Sequence, residues 1–180
     1  MPQPGQVLYV IVCASAAARD IGRLVPLAQD EGWTVQIVAT PSALAFADVP
    51  DLERRTGRPV LSRYREPDEP KAPRADAIIV APATYNTVNK FAQGIADTYA
   101  LGLLAEAPGL GIPVVVVPVV NHALASRAPF RRSVASLRAE GVTVLPAPGG
   151  DGPHTTGVDG RETSPWALAL NALKDHRLRL

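Results

Sequence analysis

At 180 residues, 47% hydrophobic and 19% charged, the chain can fill one core and is short for two, so a single domain spanning 1–180 is expected. A formal net charge of +1, from basic residues scattered along the chain, gives no electrostatic ground for nucleic acid or an anionic membrane. Cys13 is the only cysteine, which excludes an intrachain disulfide and a thiolate metal cluster; no metal site is expected, and a reducing cytoplasm is the expected setting. The apolar segment from Leu8 to Ala18 has no Lys or Arg before it and is short for a secretory leader. The longest apolar run, Gly109 to Val120, is broken by Pro113 and Pro118, so no membrane span is expected.

Hydrophobic periodicity alternates between strand and helix along most of the chain. Gln6 to Val12 reads as a buried strand, and Ala16 to Asp30 as a helix with Ile21, Leu24, Val25 and Ala28 on one stripe and a kink at Pro26. Gly32 ends that helix; Thr34 to Ala39 is a second strand and Pro41 to Ala47 a short helix. Residues 51–75, rich in Pro, Arg and Glu, read as a long loop with a short strand at Pro59–Leu61. Asp76 opens the next strand, Ala77 to Val80, and Pro82, lacking an N–H, is expected to stop its ladder. Helices follow at Tyr85 to Gln93 and Thr98 to Ala105, then a valine-rich strand, Pro113 to Val117. Ala128 to Glu140 is a helix ending at Gly141, and Val142 to Leu145 a last short strand. Residues 146–163 form a second long loop before a helix capped by Ser164, with Trp166, Ala169, Leu170 and Leu173 facing inward.

Strands alternating with helices imply an α/β fold: a three-layer, Rossmann-like (flavodoxin-like) parallel sheet with helices on both faces. Ligands bind such sheets at the carboxyl ends of the strands. That rule selects four loops: Cys13 to Ala16, Thr40 to Ala43, Ala81 to Thr87, and Pro118 to His122. The hydroxyls of Ser15, Thr40 and Ser42 suit a phosphate without an arginine, although each could be only a helix cap. In Ala81-Pro82-Ala83-Thr84-Tyr85-Asn86-Thr87, Thr84 is a cap, and Asn86 and Thr87 fall in a first helical turn, where free N–H groups favour an anionic or carbonyl-rich ligand. Neither a Gly-x-Gly-x-x-Gly fingerprint nor a phosphate-binding Gly-Lys-Ser/Thr loop is present.

These residues resemble the flavin-containing cysteine decarboxylases, a family that includes phosphopantothenoylcysteine decarboxylase and enzymes acting on C-terminal cysteines of peptides. Ala81–Thr87 is similar to the family's Pro-Ala-Ser/Thr-Ala-Asn-Thr motif, with Tyr85 in place of a small residue. Lys90-Phe-Ala-Gln-Gly-Ile-Ala-Asp97 is similar to its Lys-x-Ala-x-Gly-Ile-Ala-Asp continuation, and Gly157–Arg161 to a run near its C-terminal flap. The resemblance implies FMN as cofactor, held by Ser15, Thr40, Ser42, Ala81, Pro82, Ala83, Asn86 and Thr87, with Asn86 in the catalytic set. It also implies trimers or multiples of trimers, and a small-molecule or peptide carboxylate as substrate.

Two departures qualify this. Counting back eight residues from Asp76, the position of the family's active-site histidine, gives Asp68, and a carboxylate there is an acid or base of a different kind, or part of a solvated acidic loop with Glu66 and Glu69. The family's substrate clamp, Pro-x-Met-Asn-x-x-Met-Trp, appears as Pro118-Val-Val-Asn-His-Ala-Leu-Ala125, keeping Asn121 to grip a carboxylate and losing both methionines and the tryptophan. His122 could stand in as general acid or base, or simply line a turn. His154 could swing over a ligand from the late loop or sit at the surface. Three functions therefore stay open: a modified FMN-dependent decarboxylase, a non-enzymatic flavin-binding partner or regulatory subunit, and a flavin prenyltransferase with Arg127, Arg131 and Arg132 as its basic cluster.

Overall fold

In the computed structural model, which describes residues 5–146 and 164–177, the apolar segments form one five-stranded sheet. The strands are β1 (Val7–Val12), β2 (Thr34–Ala39), β3 (Ala77–Ala83), β4 (Val114–Pro118) and β5 (Thr143–Val144). All pairs are parallel, in the order β2-β1-β3-β4-β5. β1 lies centrally, Val10 pairing with Ile37 on one side and Ile79 on the other. The order reverses direction at β1, so a crevice opens beyond the carboxyl ends of β1 and β3, as in flavodoxin-like sheets.

Residues alternate between the two faces, and each face builds a core. Leu8, Val10, Ile37 and Ile79 pack on one face against Leu24 of α1 (Leu24–Asp30), Leu52 of α2 (Val49–Thr56) and Trp166 and Leu170 of α7 (Pro165–Arg177). Tyr9, Ile11, Ile78 and Val116 pack on the other against α3 (Tyr85–Ala92), α4 (Tyr99–Glu106) and α6 (Ala128–Ala139). Each fully buried Leu or Ile contributes roughly 1.5–3 kcal/mol, which is why both faces must be covered. Glu31, capping the end of α1, pairs with Lys174 at 2.8 Å and so ties α7 to the first layer.

Several local expectations change. Ala16–Arg23 is a 3-10 helix that hands over to α1 at Leu24. Pro26 produces no kink inside a long helix because it falls in the first turn of α1, where an N–H has no intrahelical partner. Pro41–Ala45 is likewise 3-10. α2 was not expected at all: Asp48 accepts from the Asp51 N–H at 3.0 Å, Pro50 sits in the first turn, and Gly57 closes the helix at φ 66°. Pro59–Leu61 contributes only one bridge, Leu61 to Val38, outside β2. Pro82 does not end β3, which runs on to Ala83 with a register shift after Val80. A proline lacks a donor but keeps its acceptor, and the Pro82 carbonyl takes the Cys13 N–H at 3.1 Å. The expected C-terminal helix is present, Ser164 Oγ accepting from Trp166 N at 3.3 Å. Residues 147–163, with His154 and Gly157–Arg161, lie outside the described residues.

The crossover from β2 to β3 is unusual in its covering. α2 packs on the first face, and the irregular segment 57–75 then returns across the second face over β2 and β1. Among the described residues no helix is long and apolar enough to cross a membrane.

Candidate functional site

The four loops selected by the sheet rule do meet, because the backbone stitches them together. Thr40 N donates to Val12 O at 2.9 Å, Cys13 N to Pro82 O at 3.1 Å, and Val119 N to Ala83 O at 2.8 Å. Each loop therefore starts from a hydrogen bond to the neighbouring strand, and the carboxyl edge is continuous from β2 to β4.

At the centre, Thr84 caps α3, its Oγ1 accepting from Thr87 N at 3.4 Å. The Thr87 hydroxyl turns inward, 3.2 Å from Thr84 Oγ1, and accepts from Cys13 Sγ at 3.3 Å. Burial pushes the Cys13 thiol up, so it stays a neutral donor. Thr87 and Cys13 thus brace the turn from beneath, and Thr87 has only its place in the turn, not its hydroxyl, to offer a ligand. Ala81, Pro82 and Ala83 are buried and small, which lets a ligand approach the backbone closely. Asn86, by contrast, is exposed in the first turn of α3 and its amide makes no hydrogen bond among the described residues. Tyr85 stacks on Phe130 of α6, ring centroids 5.7 Å apart, and Asn89 accepts from Ser133 Oγ at 2.7 Å, so α3 is fixed to α6 along its length.

On the flanking loops, Ser15 Oγ accepts from Ala17 N at 3.3 Å and retains its own proton to donate. The hydroxyls of Thr40 and Ser42 make no hydrogen bond among the described residues, and Ser42 is exposed. Asn121 Oδ1 caps α5 (His122–Ala125), accepting from Leu124 N at 2.9 Å, and leaves its NH2 group available to an acceptor. His122 is exposed beside it. At the clamp positions Val120 is buried, and Leu124 and Ala125 pack against the second core, so they cannot reach over a ligand.

Asp68 lies exposed on segment 57–75 and makes no hydrogen bond or ion pair among the described residues. Its neighbour Glu69 is held by Arg63 at 2.7 and 3.0 Å and accepts from Glu66 N at 2.8 Å; Arg63 keeps the Glu69 carboxyl below the usual carboxylate range. The acidic stretch is a hook within the segment. Lys90 and Asp97 form an ion pair across the turn from α3 to α4, where Gly94 adopts φ 68°. That motif therefore shapes the helix hairpin. No group of metal-ligating side chains occurs among the described residues.

The donor set is two amides, three hydroxyls and the N–H groups of first helical turns, with small side chains between them and no fixed cation among the described residues. It fits a phosphate-bearing ring system with hydrogen-bonding edges. The braces at Cys13 and Phe130 escape sequence reasoning because both are contacts between residues far apart in the chain.

Known proteins share this fold. A family model described as Flavoprotein matches residues 2–160. The coenzyme A biosynthesis bifunctional protein CoaBC of Mycobacterium tuberculosis is 31% identical over 163 residues, covering 87% of this chain and 37% of that protein. The chain thus spans little more than a third of the length of these curated relatives. Among solved structures, the FMN-dependent cysteine decarboxylase TvaF from thioviridamide biosynthesis superposes with a TM-score of 0.73 at 25% identity, covering 94% of this chain and 99% of that one. The FMN-dependent cysteine decarboxylase SpaF gives 0.71 at 26% identity, covering 94% and 98%. A family model spanning nearly the whole chain, on a sheet whose loops form the edge just described, shows that this chain belongs to the Flavoprotein family.

Proposed function

We propose that this protein binds FMN at the carboxyl edge of its sheet and acts, by a modified form of cysteine-decarboxylase chemistry, on a small carboxylate or a peptide C-terminus. The observation that carries this reading is the unpartnered Asn86 amide at the start of α3, inside the motif shared with the flavin-containing cysteine decarboxylases. Ser15, Thr40 and Ser42 would hold the phosphate, and Asn86 the polar edge of the ring. Bound FMN supplies a two-electron acceptor. The protein's own part is then to orient the substrate and manage protons: the Asn121 NH2 donates to a carboxylate, and the His122 imidazole can take or give a proton at a ring nitrogen. We also place the protein in the cytoplasm as a homotrimer or a multiple of one, in keeping with its single buried cysteine and the family resemblance.

One observation favours a second reading, a non-enzymatic flavin-binding subunit. Val120, Leu124 and Ala125 at the clamp positions pack on the second core, and Asp68 stands where the family resemblance expects a histidine, so the parts that engage substrate depart further from the family than the parts that engage cofactor. The same experiment addresses both. Heat-released ligand from the purified protein should have the mass of FMN; a colourless protein that takes up no added FMN would defeat both readings. Anaerobic incubation with a peptide ending in cysteine should then change the flavin absorbance if the protein is an enzyme. An oxidised, unchanged spectrum would assign the subunit role.

A further inference from the structure

Beneath segment 57–75 the protein holds a half-open cavity of about 830 Å3 on the second face of the sheet, within the range of small-molecule sites. It is not the carboxyl edge: its floor is the row Gln36, Tyr9 and Ile78, which lies across the first half of β2, β1 and β3. Its roof is built rather than loose. Arg65 Nη1 donates to the carbonyls of Glu66, Pro67 and Glu69 at 3.0 to 3.2 Å, Tyr9 OH donates to Pro73 O at 2.6 Å, and the Tyr64 ring meets Tyr99 edge-on at 5.2 Å. The Tyr64 hydroxyl rests on α4 at Gly102, where any Cβ would collide with it.

Two features point to an occupant. Gln36 is a polar residue in mid-strand, only 2% exposed, whose Nε2 spends both protons on the carbonyls of Ile37 and Pro59 at 3.1 and 2.8 Å. Its Oε1 accepts no hydrogen bond among the described residues and is not sealed off, so it is free to accept from a group in the cavity. Around the same cavity stand five cations and two carboxylates. Arg63 is consumed by Glu69, but Arg58, Lys71 and Arg74 have no ion-pair partner among the described residues. The walls between are apolar or aromatic, formed by Tyr9, Tyr99, Leu103 and Ile112.

We propose that this cavity is a second ligand site, separate from the flavin edge, for a small amphipathic anion: an apolar or aromatic body with an N–H donor for Gln36 Oε1 and a carboxylate, sulfonate or phosphate facing Arg58, Lys71 and Arg74. The donor answers a free acceptor on the cavity wall, and the anion answers a surplus of positive charge.

The probe is anilinonaphthalene sulfonate, titrated by fluorescence into the protein as purified. One molecule should bind per chain. Phenoxynaphthalene sulfonate, in which an ether oxygen replaces the N–H, should bind about tenfold more weakly. The double variant Lys71→Glu/Arg74→Glu, both positions exposed, should also lose about tenfold. Ala72→Trp, which fills the cavity, should abolish binding with an unchanged circular dichroism spectrum; if that variant misfolds, the charge variant and the ether decide. Equal affinity across these comparisons, or displacement of the probe by added FMN, would overturn the proposal. So would a charge variant that changes the mass seen by light scattering while leaving probe affinity intact, since the surface would then belong to a second copy of the chain.

Discussion

The carboxyl edge of the sheet and the segment that roofs its second face are built by opposite means. The edge is held by main-chain bonds between adjacent strands and by a set of small groups, the buried Cys13 and Thr87 and the half-buried Thr84. The roof is held by long side chains reaching from an exposed segment: Arg63, Arg65 and Tyr64. Backbone bonds and the buried Thr87 hydroxyl leave the edge little freedom, which suits the proposed flavin site. Exposed ion pairs and ring contacts are each weak, so the roof can yield without disturbing the sheet.

The sharpest way to break this contrast is at the edge itself. Asn86→Ala should cost roughly 1–3 kcal/mol of flavin affinity by leaving a polar group of the bound ring unpaired. Cys13→Ser should cost little, because a serine hydroxyl can donate to Thr87 Oγ1 as the thiol does. Flavin retained after gel filtration compares the two, and equal retention would remove Asn86 from the site. A smaller effect is expected at the roof: Tyr64→Ala should lower stability in urea by roughly 0.5–1.5 kcal/mol, the weight of one aromatic pair, and leave flavin retention unchanged. A loss of flavin in that variant would show that edge and roof are coupled.

The smallest effect concerns acid. Arg63 holds the Glu69 carboxyl below its ordinary value near 4.5, so the ionised form is favoured in the folded protein. The stabilisation is complete above about pH 4.5 and is lost as the pH falls through the lowered folded value. Tyrosine fluorescence should therefore report loosening of the roof only below the usual carboxylate range, while the flavin stays bound. A roof transition centred above pH 5 would exclude the Arg63–Glu69 hook as its cause.

Much of the edge was legible because its determinants are local. The strands β1, β3 and β4 announce themselves by unbroken apolar runs, β2 by a run interrupted at Gln36, and Thr84 and Ser164 by their place before a helix. α2 was missed although Asp48, Pro50 and Gly57 are start and stop signals, because Leu52 is its only buried residue and no apolar stripe accompanies them. Pro82 misled through its missing donor, when its carbonyl was what the sheet used. The roof could not be read at all: Tyr9 to Pro73, Gln36 to Pro59 and Tyr64 to Gly102 join residues that no periodicity relates.

The stack of Tyr85 on Phe130 ties the identity of two positions together. A chain with a small residue at 85 would leave the Phe130 ring facing a void, and one that kept Tyr85 but lost the ring at 130 would free an aromatic side chain beside the carboxyl edge. Neither exchange is neutral on its own, so the two positions are expected to change size in concert as the family diverges. The departure from the motif at residue 85 is then one half of a compensated pair whose other half lies in a different helix.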